Sequence, residues 1–256
     1  MIDSHALVAS SARLHEDVQV GAYAVIGDDV EIGRGSRIEP HVVIKGPTVI
    51  GADNHIFQFA SLGDDPQDKK YNRERTRLVI GDRNTIRESC TINRGTVQDR
   101  GETTIGNDNW IMAYVHIAHD CLIGDNTVFA NCTQLAGHVH VGDFAVLGGF
   151  TGVHQFCHVG AHAMLAIASV VTKDVPAYVT ASGQPAEPRG VNAEGLKRRG
   201  FSTEQIRNIR EAYRTVFRQA LKLDEAVAII EELVIDQPEL KPFLDSLKQG
   251  TRGLAR

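Results

Sequence analysis

The stretch HIAHDCLIG, residues 116–124, places two histidines three positions apart and an aspartate directly after the second. Histidine is the side chain best suited to proton transfer near neutral pH, and it is also the commonest metal ligand. His116, His119 and Asp120 therefore allow three interpretations: half of a metal site, a proton-transfer site, or polar residues that face water. The surrounding chain must decide, because it sets the direction of each side chain.

Composition narrows the classes of protein to consider. The 256 residues are enough for one large domain, or a domain with a small appendage. A net charge of −5 argues against nucleic acid as the main partner. We find no apolar run of about twenty residues and no signal-peptide layout, so we expect a cytoplasmic protein without a membrane span. The four cysteines, which show no CxxC spacing, are expected to be reduced thiols: Cys90, Cys121, Cys132 and Cys157.

An aliphatic residue recurs at every sixth position, from residue 8 to 62, from 80 to 92 and from 105 to 171, with Phe129 as the one aromatic member. A helix cannot use this period, because 3.6 residues per turn would carry the apolar positions off one face. A solenoid of short parallel strands can, with the aliphatic side chains inside. We expect small residues at its corners, and glycine or a short polar residue wherever the backbone turns tightly.

Two interruptions and a change of pattern divide the chain. The gaps near 63–79 and 94–104 predict loops that leave the solenoid, where function commonly lies. We expect the β-solenoid to occupy residues 1–191 and a helical domain to occupy 192–256. Ser202 followed by Gln205 predicts a capping box, with further helices after Asp224 and Pro238. One apolar stripe is expected on the first long helix: Ile206, Ile209, Tyr213, Val216, Phe217 and Ala220.

Residues eighteen positions apart should lie on successive coils of this solenoid, about 4.8 Å apart along its axis. Counting from His119, the next coil brings Gly137 and His138, and the one after it brings His154 and Gln155. Such a column is harder to explain by surface polarity than a single histidine is. It suits general base catalysis, and the Gly137 N–H could stabilise an oxyanion above His119.

Asp120 is a candidate to orient the His119 imidazole. In a regular strand, however, neighbouring side chains point to opposite faces, so the carboxylate of Asp120 would point away from the ring.

The hexapeptide pattern resembles that of acyltransferases built as left-handed parallel β-helices, with three sides and eighteen residues per coil. The resemblance supplies the handedness, since parallel crossovers are otherwise right-handed. Over nearly the whole chain, the sequence is similar to the UDP-N-acetylglucosamine O-acyltransferase family. The motifs that carry this likeness are HIAHDC, LAGHV, VHQFC, KDVPAY, IRESCTINRGTV, NAEGLKRRGF and the C-terminal TRGLAR.

The resemblance implies transfer of an (R)-3-hydroxyacyl group from acyl carrier protein to the glucosamine 3-hydroxyl of UDP-N-acetylglucosamine, the first step of lipid A biosynthesis. It implies a homotrimer with sites between neighbouring subunits, and no cofactor or metal. His119 would be the general base and Gly137 the oxyanion donor. The implied substrate-binding residues are Asp68, Lys70, His116, His138, His154, Gln155, Asn192, Glu194, Arg198 and Arg199.

The same resemblance implies where the acyl chain and the carrier protein would bind. The chain would lie in a groove between subunits, where Met164 and Ile167 would limit its length. The basic stretches KRR and NRERTR could receive an acidic carrier protein. The chain departs from its relatives at Arg73 and Arg75, where glycine and proline are frequent, and at Asn93, where histidine is frequent. These departures leave open the shape of the first loop and the use of a 3-amino acceptor sugar.

Three alternatives remain from the sequence. A related N-acyltransferase of the same pathway carries an extra N-terminal domain, whereas the hexapeptides here begin by residue 8. A zinc hydratase on the same solenoid would use the histidine cluster as ligands, and Zn²⁺ needs three or four of them. A solenoid without chemistry would not be expected to align histidines in one column.

Overall fold

The computed structural model describes residues 1–250 and 252–255, so Thr251 and Arg256, at the two ends of the TRGLAR motif, lie outside the described residues. Three largely parallel sheets of nine, eight and ten strands form the sides of a triangular prism, and the last two strands of the third sheet pair antiparallel. The first side contains Leu7–Val8, Val25–Ile26, Val43–Ile44, Ser61–Asp64, Thr91–Asn93, His116–Ile117, Gln134–Leu135, Gly152–Val153 and Val170–Val171.

The other two sides follow in the same winding order. The second side contains Arg13–Leu14, Val30–Ile32, Thr48–Ile50, Arg77–Ile80, Glu102–Ile105, Leu122–Ile123, His140–Val141 and His158–Val159. The third side contains Gln19–Val20, Arg37–Ile38, His55–Ile56, Thr85–Ile86, Trp110–Ile111, Val128–Phe129, Val146–Leu147, Met164–Leu165, Val179–Gly183 and Ala186–Val191. We call the edge between the first and second sides corner I, that between the second and third corner II, and that between the third and first corner III.

Strand register follows the eighteen-residue period. Ile117 pairs with Leu135, and Leu135 with Val153, so each coil repeats the last after eighteen residues. The aliphatic series fills the interior, and all of its members are buried except Val8 and Leu14, which are partly buried. Each fully buried branched side chain contributes roughly 1.5–3 kcal/mol of transfer free energy, so the stacked series supplies most of the stability of the solenoid.

The expectation that glycine or a short polar residue takes the tight turns is correct in part. Left-handed backbone occurs at Gly35 and at short polar residues such as Asp108 and Asn126, but also at aromatic residues such as Phe144, all at corner II. The glycines that follow the aliphatic positions are needed for another reason. A Cβ at Gly33 would lie 2.7 Å from the carbonyl carbon of Gly51 on the next coil, so these positions need glycine for close approach between coils.

Buried asparagines bond successive coils together at corner II. Asn54 accepts a hydrogen bond from the N–H of Asn84 at 2.9 Å, and Asn84 accepts one from the N–H of Asn109 at 3.0 Å. Asn109 in turn accepts from the N–H of Thr127 at 2.8 Å. The ladder satisfies turn N–H groups that would otherwise be buried without partners.

Both interruptions of the repeat leave the prism at corner I. Leu62 pairs with Ile92, thirty residues on, so the first loop adds twelve residues to its coil. Ile92 pairs with Ile117, twenty-five residues on, so the second adds seven. The first loop runs between Asp64 and Arg77 and the second between Asn93 and Glu102.

An antiparallel hairpin closes the third side, and helices follow it: α1 (Ala193–Arg198), α2 (Thr203–Phe217), α3 (Leu223–Val234), a 3₁₀ turn (Pro238–Leu240) and α4 (Lys241–Gln249). The capping box at Ser202 and Gln205 is confirmed by hydrogen bonds of 2.9 and 3.1 Å. Ala220 lies beyond the end of α2, so its place in the helical stripe was wrong. Helix α3 begins at Leu223, so Asp224 lies in its first turn and not before it as expected.

The helical part covers the last coil of the solenoid. The Tyr178 hydroxyl donates to the carbonyl of Glu239 at 2.8 Å, and the N–H of Ala177 donates to the Ser246 hydroxyl at 3.0 Å. The exposed end of a solenoid needs such a cap because its last strands have no following coil to pair with. Over residues 1–250 and 252–255, the structure has no helix with both the length and the apolar character that a bilayer crossing requires.

Candidate active site

The candidate site lies on corner I, in the coils that follow the two loops. His119 stands between His116–Ile117 of the first side and Leu122–Ile123 of the second, which is the position from which each loop leaves in its own coil. The loops and the histidine therefore project from the same edge of the prism.

His119 and Asp120 form a bonded pair. The Nδ1 of His119 lies 2.8 Å from the Oδ2 of Asp120. The expectation from strand geometry that Asp120 would point away was wrong, because the residue is in a turn with a φ of 59°. The left-handed backbone at Asp120 brings its side chain round towards the ring. Since a carboxylate can only accept, Nδ1 carries the hydrogen and Nε2 is left to take a proton.

The second loop anchors the carboxylate of Asp120. The N–H of Thr96 donates to Oδ1 at 2.8 Å, and the Thr96 hydroxyl donates to Oδ2 at 2.6 Å. Burial by itself raises the pKa of Asp120, but the hydrogen bonds from His119 and Thr96 outweigh it, and the pKa falls below its usual value. The carboxylate is completely buried and ionised, so it holds the imidazole and stabilises its positive form.

Gly137 lies directly against the His119 ring. A Cβ at Gly137 would be 2.5 Å from Cε1 and 2.7 Å from Nε2 of His119, which only glycine avoids. Its N–H donates to no acceptor within the described part of the chain, as at the equivalent turn positions of neighbouring coils. What distinguishes Gly137 is that its backbone lies directly against the ring whose Nε2 can act as a base.

A cleft of about 850 Å³ opens at this corner. Of the residues expected from the sequence, it brings together Asp68, Lys70, His119, His138 and Gln155. Seven further lining residues were missed by the sequence analysis: Gln67, Lys69, Gln98, Asp99, His140, Phe156 and His158. His140 and His158 follow Leu122 by one and two coils, so the eighteen-residue spacing could have predicted them on the adjoining side. The second loop leaves the same corner, which could have predicted that Gln98 and Asp99 reach the cleft.

Two of the expected histidines lie outside the cleft lining. His116 lies on the first side, where its Nδ1 is 2.7 Å from the Thr91 hydroxyl, and burial lowers its pKa. His154 is exposed near the C-terminus, with Nδ1 3.2 Å from a guanidinium nitrogen of Arg252. The column of the cleft is therefore His119, His138 and Gln155, with Phe156 beside them.

The residues expected from the NAEGLKRRGF motif lie beside corner II. Asn192 is the N-cap of α1: its Oδ1 accepts from the N–H of Gly195 at 3.1 Å, and its Nδ2 donates to the carbonyl of His162 at 3.0 Å. The guanidinium of Arg199 lies 4.6 Å above the ring of Phe144. Glu194 pairs with Lys197 at 2.8 Å, and Arg198 is exposed at the end of α1. None of these four expected residues lines the cleft at corner I.

Met164 and Ile167 also lie away from that cleft. Met164 belongs to the third side, which is opposite corner I, and it continues an outward apolar row with Val146, Val128 and Trp110. Ile167 follows at corner III and is 71% exposed. Within one chain, this row cannot meet His119.

Arg73, Arg75 and Asn93 all belong to the first loop or contact it. Arg73 has a φ of 61°, a left-handed conformation that glycine adopts without strain. Arg75 pairs with Asp29 at 3.0 Å, which ties the end of the loop to an earlier coil. Asn93 is buried, and its Nδ2 donates to the carbonyl of Asp65 at 3.0 Å, so it holds the start of the loop.

Arg94 is the main anchor at the base of this loop. Its guanidinium is 8% exposed, donates to the carbonyl of Gly63 at 2.7 Å and to the Tyr71 hydroxyl at 2.9 Å, and pairs with Asp65. A buried guanidinium needs such partners, and here they fix the loop that carries Asp68 and Lys70.

His119, Asp120 and His138 also form a group that could hold a metal ion, since one ligand atom from each lies within 4.8 Å of the others. The expectation of a metal-free reaction therefore needs a direct measurement.

Comparison with known proteins decides the family. A family model described as "Udp N-acetylglucosamine O-acyltransferase; Domain 2" matches residues 174–255, and one described as "Bacterial transferase hexapeptide (six repeats)" matches 11–46 and 102–137. The acyl-(acyl-carrier-protein)–UDP-N-acetylglucosamine O-acyltransferase of Thiobacillus denitrificans is 58% identical over 251 residues, covering 98% of this chain and 97% of the relative. This chain belongs to the UDP-N-acetylglucosamine O-acyltransferase family.

Solved structures of the family have the same fold. The structure of LpxA from Acinetobacter baumannii matches with a TM-score of 0.98 and 48% identity, covering 100% of this chain and 99% of the other. UDP-N-acetylglucosamine O-acyltransferase from Moraxella catarrhalis matches with a TM-score of 0.99, 47% identity and the same coverage. The predicted left-handed parallel β-helix with a C-terminal helical region is confirmed.

Proposed function

We propose that this protein transfers an (R)-3-hydroxyacyl group from acyl carrier protein to the glucosamine 3-hydroxyl of UDP-N-acetylglucosamine, the first step of lipid A biosynthesis. Membership of the acyltransferase family supports the reaction, and the names of the relatives supply the two substrates. The observation that carries the assignment of residues is the contact of Gly137 with a His119 ring whose Nδ1 is bonded to buried Asp120.

The proposed mechanism uses His119 as general base. Its Nε2 takes the proton of the sugar hydroxyl while that oxygen bonds to the thioester carbonyl carbon. The carbonyl oxygen becomes an oxyanion, which accepts a hydrogen bond from the N–H of Gly137. When the tetrahedral intermediate collapses, the carbon–sulfur bond breaks. The His119 imidazolium then gives the proton that it took from the sugar to the departing carrier thiolate. Asp120 stays ionised throughout and stabilises that imidazolium.

The remaining residues are proposed to position the substrates. Asp68 and Lys70 reach the cleft from the first loop, and His138 and Gln155 line it beside His119. His116 and His154 would shape its outer limits. Arg198 and Arg199 suit the diphosphate, since arginine binds such groups with paired hydrogen bonds, and Asn192 and Glu194 would serve the nucleotide side.

We further propose that the enzyme is a homotrimer with each site between two subunits. Four aromatic side chains along corner III are unusually exposed for a monomer: Tyr23 at 56%, Phe59 at 60%, Tyr114 at 61% and Phe150 at 65%. A second copy would also bring its corner II residues and its apolar third side towards corner I. Sedimentation of the purified protein should give three times 27.9 kDa, and a monomer at micromolar concentration would contradict the proposal.

In the proposed trimer, the acyl chain would lie in a groove between two subunits. A groove between corner I of one subunit and the third side of the next would run along Trp110, Val128, Val146 and Met164 towards Ile167. These apolar side chains suit a hydrocarbon tail. We propose that Ile167 limits its length.

The function is tested by incubating the protein with UDP-N-acetylglucosamine and a series of 3-hydroxyacyl carrier proteins, with products identified by mass spectrometry. We expect an O-acylated sugar nucleotide from wild type and from His15→Ala, an exposed histidine far from the cleft. His119→Ala should abolish transfer without unfolding, because its side chain is outside the core. A rate above a few per cent of wild type would contradict its role as base. If the purified protein instead contained stoichiometric zinc and needed it for activity, the zinc hydratase alternative would be favoured.

A further inference from the structure

The second loop reaches both imidazoles of the candidate site, one through Asp120 and the other directly, and the direct contact has no part in the mechanism above. Thr96 bonds to Asp120, and through it holds His119. Three residues further on, the Oδ2 of Asp99 lies 2.8 Å from the Nδ1 of His138. Asp99 was not among the residues expected from the sequence.

His138 is held from several directions. Phe156 stacks on one face of its ring, with centroids 4.4 Å apart and planes 11° apart. The ring of His119 meets it edge-on at 5.1 Å and 89°. Of these three contacts, the one with Asp99 is a hydrogen bond to a ring nitrogen, so it can select which nitrogen carries the hydrogen. The stacking contacts alone would tolerate a half-turn of the ring about its axis.

The loop does not depend on the Asp99 side chain for its own shape. The N–H of Gly95 donates to the carbonyl of Arg77 at 3.2 Å, and the N–H of Gly101 donates to the carbonyl of Thr96 at 3.0 Å. Thr96 is fixed to buried Asp120. Removal of the Asp99 carboxylate should therefore leave the loop in place, with His138 as the group that is released.

We propose that Asp99 is a positioning residue for the reaction, which holds the hydrogen of His138 on Nδ1 and turns Nε2 towards the cleft beside His119. This inference rests on the proposed function, because His138 is assigned there to the substrate cleft. The chemistry follows from the carboxylate, which accepts but cannot donate. The Nε2 of His138 lies 3.9 Å from the Oδ2 of Asp120, next to the space where the sugar hydroxyl must approach.

Without the carboxylate, His138 can exchange its tautomer or turn over, and either change misdirects the group that faces the sugar. Misplacement by about 1 Å at a reacting centre can cost about a hundredfold in rate. We expect Asp99→Ala to lower kcat/KM for UDP-N-acetylglucosamine by about ten- to a hundredfold. Asp99→Glu should recover part of this loss, and Asp99→Asn should recover little because an amide can also donate to Nδ1.

The test combines kinetics with nitrogen NMR of histidine-labelled protein without substrate. In wild type, the Nδ1 of His138 should carry hydrogen, whereas in Asp99→Ala this preference should be lost. Val97→Ala is the matched control: it lies on the same loop, is 54% exposed and should change neither measurement. Melting curves confirm that the variants are folded.

Two results would overturn the inference. Kinetic constants for Asp99→Ala within twofold of wild type would mean that the contact has no role in the reaction. A reduced rate with unchanged nitrogen shifts for His138 would mean that Asp99 does not act through this ring. Failure of the proposed function is distinguishable, because wild type would then make no acylated sugar, while the nitrogen spectra would still report whether Asp99 sets the state of His138.

Discussion

Replacement of Gly137 by alanine changes one methyl group at the centre of the candidate site. The added Cβ would lie 2.5 Å from Cε1 and 2.7 Å from Nε2 of His119. Gly137 does not have a positive φ, so alanine is compatible with its backbone. The peptide N–H that is proposed to bind the oxyanion remains, so the variant perturbs the position of the base and leaves the donor.

The size of the effect follows from the anchoring of His119. The ring must retreat by about 1 Å to reach an ordinary contact distance. It cannot retreat together with Asp120, because that carboxylate is buried and bonded to Thr96 at 2.6 Å. The ring therefore turns away from the position where it meets the sugar hydroxyl. A displacement of about 1 Å can cost a hundredfold in rate, which corresponds to about 2.7 kcal/mol of activation free energy.

The measurement is the initial rate of acyl transfer under saturating substrates, together with the melting temperature. We expect kcat of Gly137→Ala to fall about a hundredfold while the melting temperature changes little. The control is Gly152→Ala on the first side, where an added Cβ would meet nothing within 4 Å. A folded Gly137→Ala enzyme with a kcat within twofold of wild type would refute the reasoning, since the ring would then tolerate the displacement or not act as the base.

Two further predictions concern the acyl groove and the histidine at corner II. Ile167→Gly should shift the preferred substrate towards longer 3-hydroxyacyl chains in a competition assay, because the side chain is proposed to limit the groove; the control is Ile235→Gly, also strongly exposed at 81%, and an unchanged preference would contradict the proposal. Burial, and after it the positive charge of Arg199, lower the pKa of His162 to about 4, while Asp143 opposes them. Between the ordinary value near 6.5 and about 4, the unfolded chain binds more protons, so this group lowers the free energy of unfolding as the pH falls. His162→Phe should therefore lose less stability between pH 7.5 and 5 in urea titrations, by about 2 kcal/mol at most, and equal losses would show that His162 is not buried in its neutral form.

Much of the fold could be predicted because it depends on local periodicity. The recurrence of aliphatic residues every six positions identified the interior, and Ser202 with Gln205 located the start of α2. The errors arose where one residue pattern has two possible physical explanations. Glycine or a short polar residue was expected in the tight turns, and Asp108 and Asn126 have that role, but at Gly33 it is the close approach of the next coil that excludes a side chain.

The candidate site also contains residues that the repeat predicts and contacts that it does not. The eighteen-residue spacing by itself predicts that His119, Gly137 and Gln155 share one corner of the solenoid. The same arithmetic gave no sign that His154 would turn towards Arg252, because that contact depends on how the helical part folds back over the last coil.

The sequence by itself determined the repeat, the corner that carries the histidines and the position of the two loops on that corner, because each follows from counting residues along a regular solenoid. Only the tertiary structure decided that Asp120 turns back to His119 and that Asp99 reaches His138. The first depends on a left-handed turn at a residue other than glycine. The second joins residues thirty-nine positions apart through the path of an irregular loop. The path of that loop has no period and could not be counted in advance; the left-handed turn does recur, at His138 and Phe156 of the following coils, but no single residue type marks it in the sequence.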